Sequence, residues 1–243
     1  MKVDILAIGI HPDDVELSCS GTLLRYINEG KTVGLLDLSR GELGTRGTAK
    51  IRDEEGKEAA RRMGAAFREN VDMADGFFQN NPENVQKIIR ILRWCRPQIV
   101  LGNAPHDRHP DHGRASKLVY DACFYSGLSK IETIWKDGTP QKKWRPDNLY
   151  YYIQDYNLEP NFVIDISSTI EQKMEVIKAF RSQFHVPEAS EYASEDQTPI
   201  SGSDFMAFLK AKARTYGRAA GYEFGEGFVV SRVLGVGDLF ALD

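Results

Sequence analysis

Short apolar runs alternate with longer amphipathic segments along the first half of the chain. Residues 3–9 (Val-Asp-Ile-Leu-Ala-Ile-Gly), 31–38 and 98–102 are rich in Val, Ile and Leu and have the length of buried strands. Between and after them, the pattern predicts helices over 18–30, 52–66, 83–96 and 114–125. The first of these ends at Gly30 in a C′-like position, and Pro97 stops the third. Leu118, Val119, Ala122 and Cys123 mark the inner face of the fourth. Strand and helix in strict alternation imply βαβ units on a parallel sheet. The expected fold is therefore α/β, a Rossmann-like three-layer domain with its site at the carboxyl ends of the strands.

The second half is less regular. Residues 126–146 are polar and contain Gly127, Gly138, Pro140 and Pro146, so a mobile cover over the site is expected there. Residues 148–154 read as a strand in which Tyr151 faces away from Tyr150 and Tyr152. At least one of these rings is expected near a pocket or interface, with aromatic packing as the alternative. A strand over 162–167 leads to a helix capped by Ser168 or Thr169 and running to Phe184. Residues 185–201 form a long polar loop suited to a lid or a subunit contact, with His185 structural or interfacial. A last helix spans 204–220, and 222–228 returns to the core. No repeat or second domain is visible, so 1–243 reads as one domain.

Composition narrows the function. A net charge of −4 and a pI near 5.8 argue against a nucleic-acid partner, although local arginines can still hold an anionic substrate. No signal peptide or membrane-spanning stretch is apparent. Cys19, Cys95 and Cys123 are few and far apart, which suits a reducing cytoplasm. Cys95 shares a helical face with Ile88, Ile91 and Leu92 and reads as core; Cys19 lies near the first motif described below. No G-x-G-x-x-G is present, so a dinucleotide site is set aside.

The chemistry sits in two motifs, each following an apolar run. The first is Gly9-Ile10-His11-Pro12-Asp13-Asp14-Val15-Glu16; the second is His106-Asp107-Arg108-His109-Pro110-Asp111-His112. A single His-Pro-Asp is as readily a turn as a site. Two such loops holding four of the five histidines are hard to explain as turns. If their strands are neighbours, the loops face one another across one crevice. His11, Asp14 and His112 then make a two-His, one-carboxylate metal set with an open position. Non-haem iron takes the same set, but the spare carboxylate of Asp13 favours hydrolysis, with Asp13 as general base. His109 is placed to donate to a developing oxyanion, and Asp111 to orient an imidazole. A phosphoesterase with paired metals would need more carboxylates.

With these motifs the chain resembles the PIG-L/LmbE-like zinc deacetylases, which act on N-acetylglucosaminyl compounds. The block Gly41-Glu42-Leu43-Gly44-Thr45-Arg46-Gly47-Thr48 with Arg52-x-x-Glu55 extends the resemblance. Phe162 to Ser167, Ser182-Gln183-Phe184 and Glu226-Gly227-Phe228 are similar to the bacillithiol-pathway branch, whose substrate is N-acetylglucosaminyl-malate. Ser18-Cys19-Ser20-Gly21 departs from the Gly/Ala-rich turn of many relatives. The resemblance implies His11, Asp14 and His112 as ligands of Zn2+ (or Fe2+ or another divalent ion) and Asp13 as base. It implies His109 as oxyanion stabiliser with Asp111 as its orienting partner, and Arg52 and Arg108 as substrate-binding residues. It also implies that the loop after the second strand shapes the sugar pocket, that the substrate is a small amino sugar, and that the protein is a homo-oligomer. Arg52 lies in the first turn of its expected helix, where a cation is unfavourable and needs a partner. A substrate carboxylate is one candidate; Asp53 or Glu55 is the structural alternative. The same chemistry on a chito-oligosaccharide or a thiol-conjugate amide is the nearest other reading, and a non-catalytic relative would have lost Asp13 or a ligand.

Overall fold

Seven strands pair into one sheet: β1 (Ile5–Gly9), β2 (Val33–Ser39), β3 (Phe67–Met73), β4 (Ile99–Gly102), β5 (Asn148–Tyr152), β6 (Phe162–Asp165) and β7 (Gly225–Val230). The computed structural model describes residues 1–185, 192 and 194–241. The strand order is β3-β2-β1-β4-β5-β7-β6. The first five strands are parallel, and β7 runs antiparallel between β5 and β6. Every residue of β1 and β2 is buried, which accounts for their continuous apolar runs: both faces of the sheet are covered.

Alternation along β1 supplies the two cores. Ile5 and Ala7 pack with α1 (Asp14–Asn28), α2 (Ala49–Met63), α5 (Ile170–Ile177) and α6 (Phe205–Ala219). Leu6 and Ile8 pack on the other face with α3 (Pro82–Cys95) and α4 (Pro110–Ser126). This is the expected three-layer α/β arrangement. Cys95 lies in the second core, as its periodicity indicated, and Cys19 is buried in the first.

The topology fixes where a ligand goes. From β1 the chain runs outward through β2 to β3, then returns to place β4 on the other side of β1. The connections leaving β1 and β4 therefore enter helices on opposite faces, and a crevice opens between them at the carboxyl ends. Both motif loops sit at that crevice, as expected for neighbouring strands.

Several elements differ from the sequence pattern. β3 was not anticipated, because it is a half-exposed edge strand of mixed polarity. Helices α1 and α4 begin four residues earlier than periodicity indicated, so the motifs themselves form the first turns. In α4, Pro110 supplies a preset φ and needs no donor, and the His109 side chain caps the helix. Helix α2 starts at Ala49 because the Thr48 side chain accepts from Ile51 N. Helix α5 ends at Ile177 rather than Phe184, and Thr169 Oγ1 donates to Gly21 O instead of capping it.

Residues 126–146 do not cover the site; none of them lines its cavity. Arg93 of α3 ties the segment down instead, donating to Ser126 O, Leu128 O, Ile131 O and Thr133 Oγ1, while Trp135 stacks on Trp94. Nor does any tyrosine of β5 line the cavity. Tyr152 is fully buried and donates to Ile8 O at 2.7 Å, so the aromatic-packing alternative holds. The loop expected over 185–201 lies partly outside the described residues; within it, Thr198, Pro199 and Ile200 do line the cavity. No described helix is long and apolar enough to cross a membrane.

Buried charge fastens α1 to the sheet beneath the crevice. Arg68 of β3 donates to both Asp37 oxygens of β2 (2.6 and 2.8 Å) and to Glu16 of α1 (2.5 Å). Asp37 and Glu16 are both buried, so removing the cation strands two carboxylates. Replacing Arg68 by Met is expected to cost about 3–5 kcal/mol in equilibrium denaturant unfolding. A loss below about 1 kcal/mol would show that the network is not stabilising.

Candidate metal centre and active site

The first turn of α1 is unusually constrained. Gly9 lets the chain turn tightly, since a Cβ there would come within 2.9 Å of the Asp14 Cβ. Asp13, the N-cap residue, has φ 139° and ψ −23°, a region that L side chains rarely adopt. Its carboxylate accepts from Arg52 Nη2 at 3.0 Å, with both side chains buried. Arg52 Nη2 also donates to Pro12 O and Nη1 to Gly41 O. Gly41 has φ +63°, and a Cβ there would meet Nη1 at 2.0 Å, so only glycine lets the guanidinium approach. The partner of Arg52 is thus Asp13 rather than Asp53, which pairs with Arg40, or Glu55, which accepts from Ser182. Arg52 Nε is buried without a partner among the described residues.

Asp14 stands between two imidazoles. Its Oδ2 lies 3.9 Å from His11 Nδ1, and its Oδ1 lies 3.2 Å from His112 Nε2. The carboxylate is positioned by His11 N and Asn103 Nδ2 on Oδ2 (3.0 and 2.8 Å) and by Gln154 Nε2 on Oδ1 (3.1 Å). The outer nitrogens of both imidazoles donate to carboxylates: His11 Nε2 to Asp75 at 2.9 Å, and His112 Nδ1 to Asp107 at 2.5 Å. This leaves His11 Nδ1 and His112 Nε2 turned toward Asp14, each backed by a carboxylate in the manner of metal-bound histidines. Ligands about 2.0 Å from a tetrahedral ion lie roughly 3.3 Å apart. The 3.2 Å between His112 and Asp14 matches this, and the 3.9 Å between His11 and Asp14 is longer, so His11 would move inward on a divalent cation.

Two other groupings are close. Ligand atoms of His11, His109 and His112 lie within 4.8 Å of one another, as do those of His11, Asp75 and Asp111. In the second grouping, however, the Asp75 carboxylate already takes the His11 Nε2 proton. In the first, His109 Nδ1 accepts from Asp111 N at 3.2 Å as the cap of α4. The proton of the neutral His109 ring is then on Nε2, a donor at the cavity wall. Asp111, expected to orient His109, meets it only through that N–H. Its carboxylate faces His11 Nε2 at 3.6 Å and is held by Gly76 N and Arg114.

Electrostatics assigns the protons. Burial disfavours a charged His112, but Asp14 and Asp107 outweigh it and lift its pKa to about 9. Burial likewise lowers the His11 pKa, and bonds to Asp111, Asp14 and Asp75 raise it well above the usual value. His109 goes the other way: burial and the charges of His11 and His112 keep it neutral. Burial pushes the Asp13 carboxyl up to about 7 despite Arg52, with Asp14 adding to the rise. Asp14 itself stays well below the usual range, since His112 and His11 overcome its burial. One carboxyl is thus basic enough to take a proton near neutrality, and its neighbour stays ionised.

The chain is similar to known proteins. Residues 6–123 match the family described as PIG-L: GlcNAc-PI de-N-acetylase. A diacetylchitobiose deacetylase from Thermococcus kodakarensis is 27% identical over 234 residues, covering 92% of this chain and 81% of the relative. The uncharacterised deacetylase YaiS of Escherichia coli (strain K12) is 37% identical over 125 residues, covering 49% of this chain and 67% of the relative. The crystal structure of the conserved protein TT1542 from Thermus thermophilus superposes with a TM-score of 0.82 at 35% identity, covering 97% of this chain and 98% of that one. The chain belongs to the PIG-L/LmbE-like deacetylase family.

In this family member, the crevice gathers seven of the eight site residues expected from the sequence. His11, Asp13, Asp14, Arg52, Arg108, His109 and His112 all line one cavity of about 430 Å³, and Asp111 stands directly behind His11. Sequence reasoning missed Asp75, Asn103 and Gln154, and gave Asp107 no role although it lies inside the second motif. Only Asp107 carried a signal, its position five residues before His112.

His112 carries a pKa of about 9, so a cation that took its Nε2 as a ligand would have to displace a proton. Apparent zinc affinity is therefore expected to fall as pH drops below about 9. Calorimetry of zinc binding at pH 7 in buffers of differing ionisation enthalpy should register at least one proton released per ion. Zero release would contradict the assignment of His112 as a ligand.

Proposed function

We propose that this family member is a zinc-dependent N-deacetylase whose substrate is N-acetylglucosaminyl-malate, releasing acetate and the free amine, as in the bacillithiol-pathway branch. The observation carrying the hydrolytic reading is the pair Asp13 and Asp14. Adjacent residues of one strained turn present one carboxylate to two imidazoles and a second, of raised pKa, to the same cavity. His11, Asp14 and His112 would hold the ion, which when bound supplies Lewis-acid polarisation of water and of the amide carbonyl.

The remaining steps belong to side chains. Asp13 accepts a proton as the water oxygen forms its bond to the acetamide carbon. His109 Nε2–H donates to the oxyanion that develops as the carbonyl double bond opens. The protonated Asp13 then gives its proton to the amine nitrogen as the C–N bond breaks. Arg52 fixes the orientation of Asp13, and Arg108 stands at the cavity wall to meet the aglycone. The Thermococcus relative supports a second reading, the same chemistry on a chito-oligosaccharide.

Asp13→Ala is expected to retain zinc while losing at least about 100-fold in kcat, the scale of one general base; full activity would remove Asp13 from the chemistry. Amine release from N-acetylglucosaminyl-malate and from diacetylchitobiose, run side by side, decides the substrate. Preference for the malate conjugate supports the proposal, and preference for the chito-oligosaccharide replaces it with the second reading. No release from either substrate, with zinc bound, contradicts the deacetylase chemistry.

A further inference from the structure

Four lysines and arginines line the cavity: Arg52, Arg108, Lys173 and Lys212. Three are matched by carboxylates: Arg52 by Asp13, Arg108 by Asp155 at 2.6 Å, and Lys173 by Glu226 at 2.5 Å. Lys173 serves structure alone, since Glu226 also accepts from Gly21 N and Thr22 N of α1. Lys212 is the exception. Its Nζ donates to the backbone oxygen of Asp155 at 3.1 Å, and no carboxylate among the described residues lies within ion-pair distance of it. An ammonium has three donors, so two remain for something else.

The setting of Lys212 is that of a recognition group. Phe205, Leu209, Lys212, Ala213 and Tyr216 form a stripe of α6 along the cavity wall, at spacings that bring them to one helix face. The amine is thus the only charge in that otherwise largely apolar stripe, where water competes weakly for an anion. Burial lowers its pKa to about 8, against the pull of Asp107 and Asp155, which leaves it mainly protonated at neutral pH.

Its place relative to the reacting end follows from two adjacent pairs. Gln154 contacts Asp14 and approaches His112, and the next residue, Asp155, holds both Arg108 and Lys212. In the same way Asp107 holds His112, and the next residue is Arg108. Lys212 therefore lines the same cavity as His11, Asp14 and His112, linked to them through Gln154 and Asp155. Arg108 is in the same corner and has no hydrogen bond from its Nη groups to any described residue.

We infer that Lys212 is a specificity-determining residue that binds a carboxylate on the substrate's aglycone, with Arg108 closing the same anion subsite. This rests on the carboxylate-bearing glycoside proposed above as substrate. It moves the anion-binding role from Arg52, whose charge is taken by Asp13, to the one cavity cation without a carboxylate partner among the described residues.

Equilibrium binding tests this without turnover. The full-length, zinc-loaded protein is titrated calorimetrically with glucosaminyl-malate and with methyl glucosaminide, free-amine products that carry no acetyl group to remove, as wild type, Lys212→Met and Lys212→Arg. Wild type should bind the malate conjugate at least about tenfold more tightly. That preference should collapse about tenfold in Lys212→Met and return in Lys212→Arg, as for a charge-assisted hydrogen bond. No preference in wild type, or a preference that survives Lys212→Met, overturns the inference. Far-ultraviolet circular dichroism confirms that each variant is folded before titration. Amine release by wild type, measured in parallel, judges the deacetylase reading separately: binding preference without release would leave the anion subsite standing and the chemistry refuted.

Discussion

Two imidazoles are each held between carboxylates in a buried corner: His11 between Asp75 and Asp14, His112 between Asp107 and Asp14. So much like charge is costly to bury, and it persists because cations neutralise it. In the metal-free protein those cations are protons on the imidazoles. A divalent ion at the Asp14 side would replace protons with a stronger charge, in a cage whose outer bonds are already made. The rest of the architecture serves this cage. The strand reversal brings the two loops together, Pro110 and the His109 cap start α4 at the second motif, and Arg68 binds the base of α1 to β2 and β3.

The same turn separates the duties of two neighbouring aspartates. Asp14 has helical geometry and faces the imidazoles, whereas Asp13 is forced into a strained conformation that aims it at Arg52 and the cavity. The strain is offset by a rigid base whose acidity differs from that of its neighbour by environment alone. Arg52 shows why a cation near a helix start need not be waiting for substrate: its partner comes from 39 residues earlier in the chain.

The strands β1, β2 and β4, the helices between them and the two motifs were legible because each is a local pattern: apolar runs, helical periodicity, and histidines clustered with aspartates. The seats of His11, Asp13, Asp14, His109 and His112 followed once parallel strands were inferred. What was not legible depends on tertiary placement. Asp75 follows a polar edge strand without a clear period, Gln154 ends a strand read for its tyrosines, and Lys212 is one lysine on an amphipathic helix. The expected cover over 126–146 failed for a related reason. Its glycines and prolines signal turns, but the four acceptors that Arg93 gathers there are backbone and hydroxyl oxygens without any mark in the sequence.

We place one divalent ion between Nδ1 of His11, the carboxylate of Asp14 and Nε2 of His112. Anomalous diffraction at the zinc absorption edge, from crystals grown with zinc, tests this placement most directly. A peak is expected about 2.0–2.2 Å from all three residues, with Asp13 outside the coordination sphere. A peak coordinated instead by His11, Asp75 and Asp111, or no peak at full zinc loading, would contradict it.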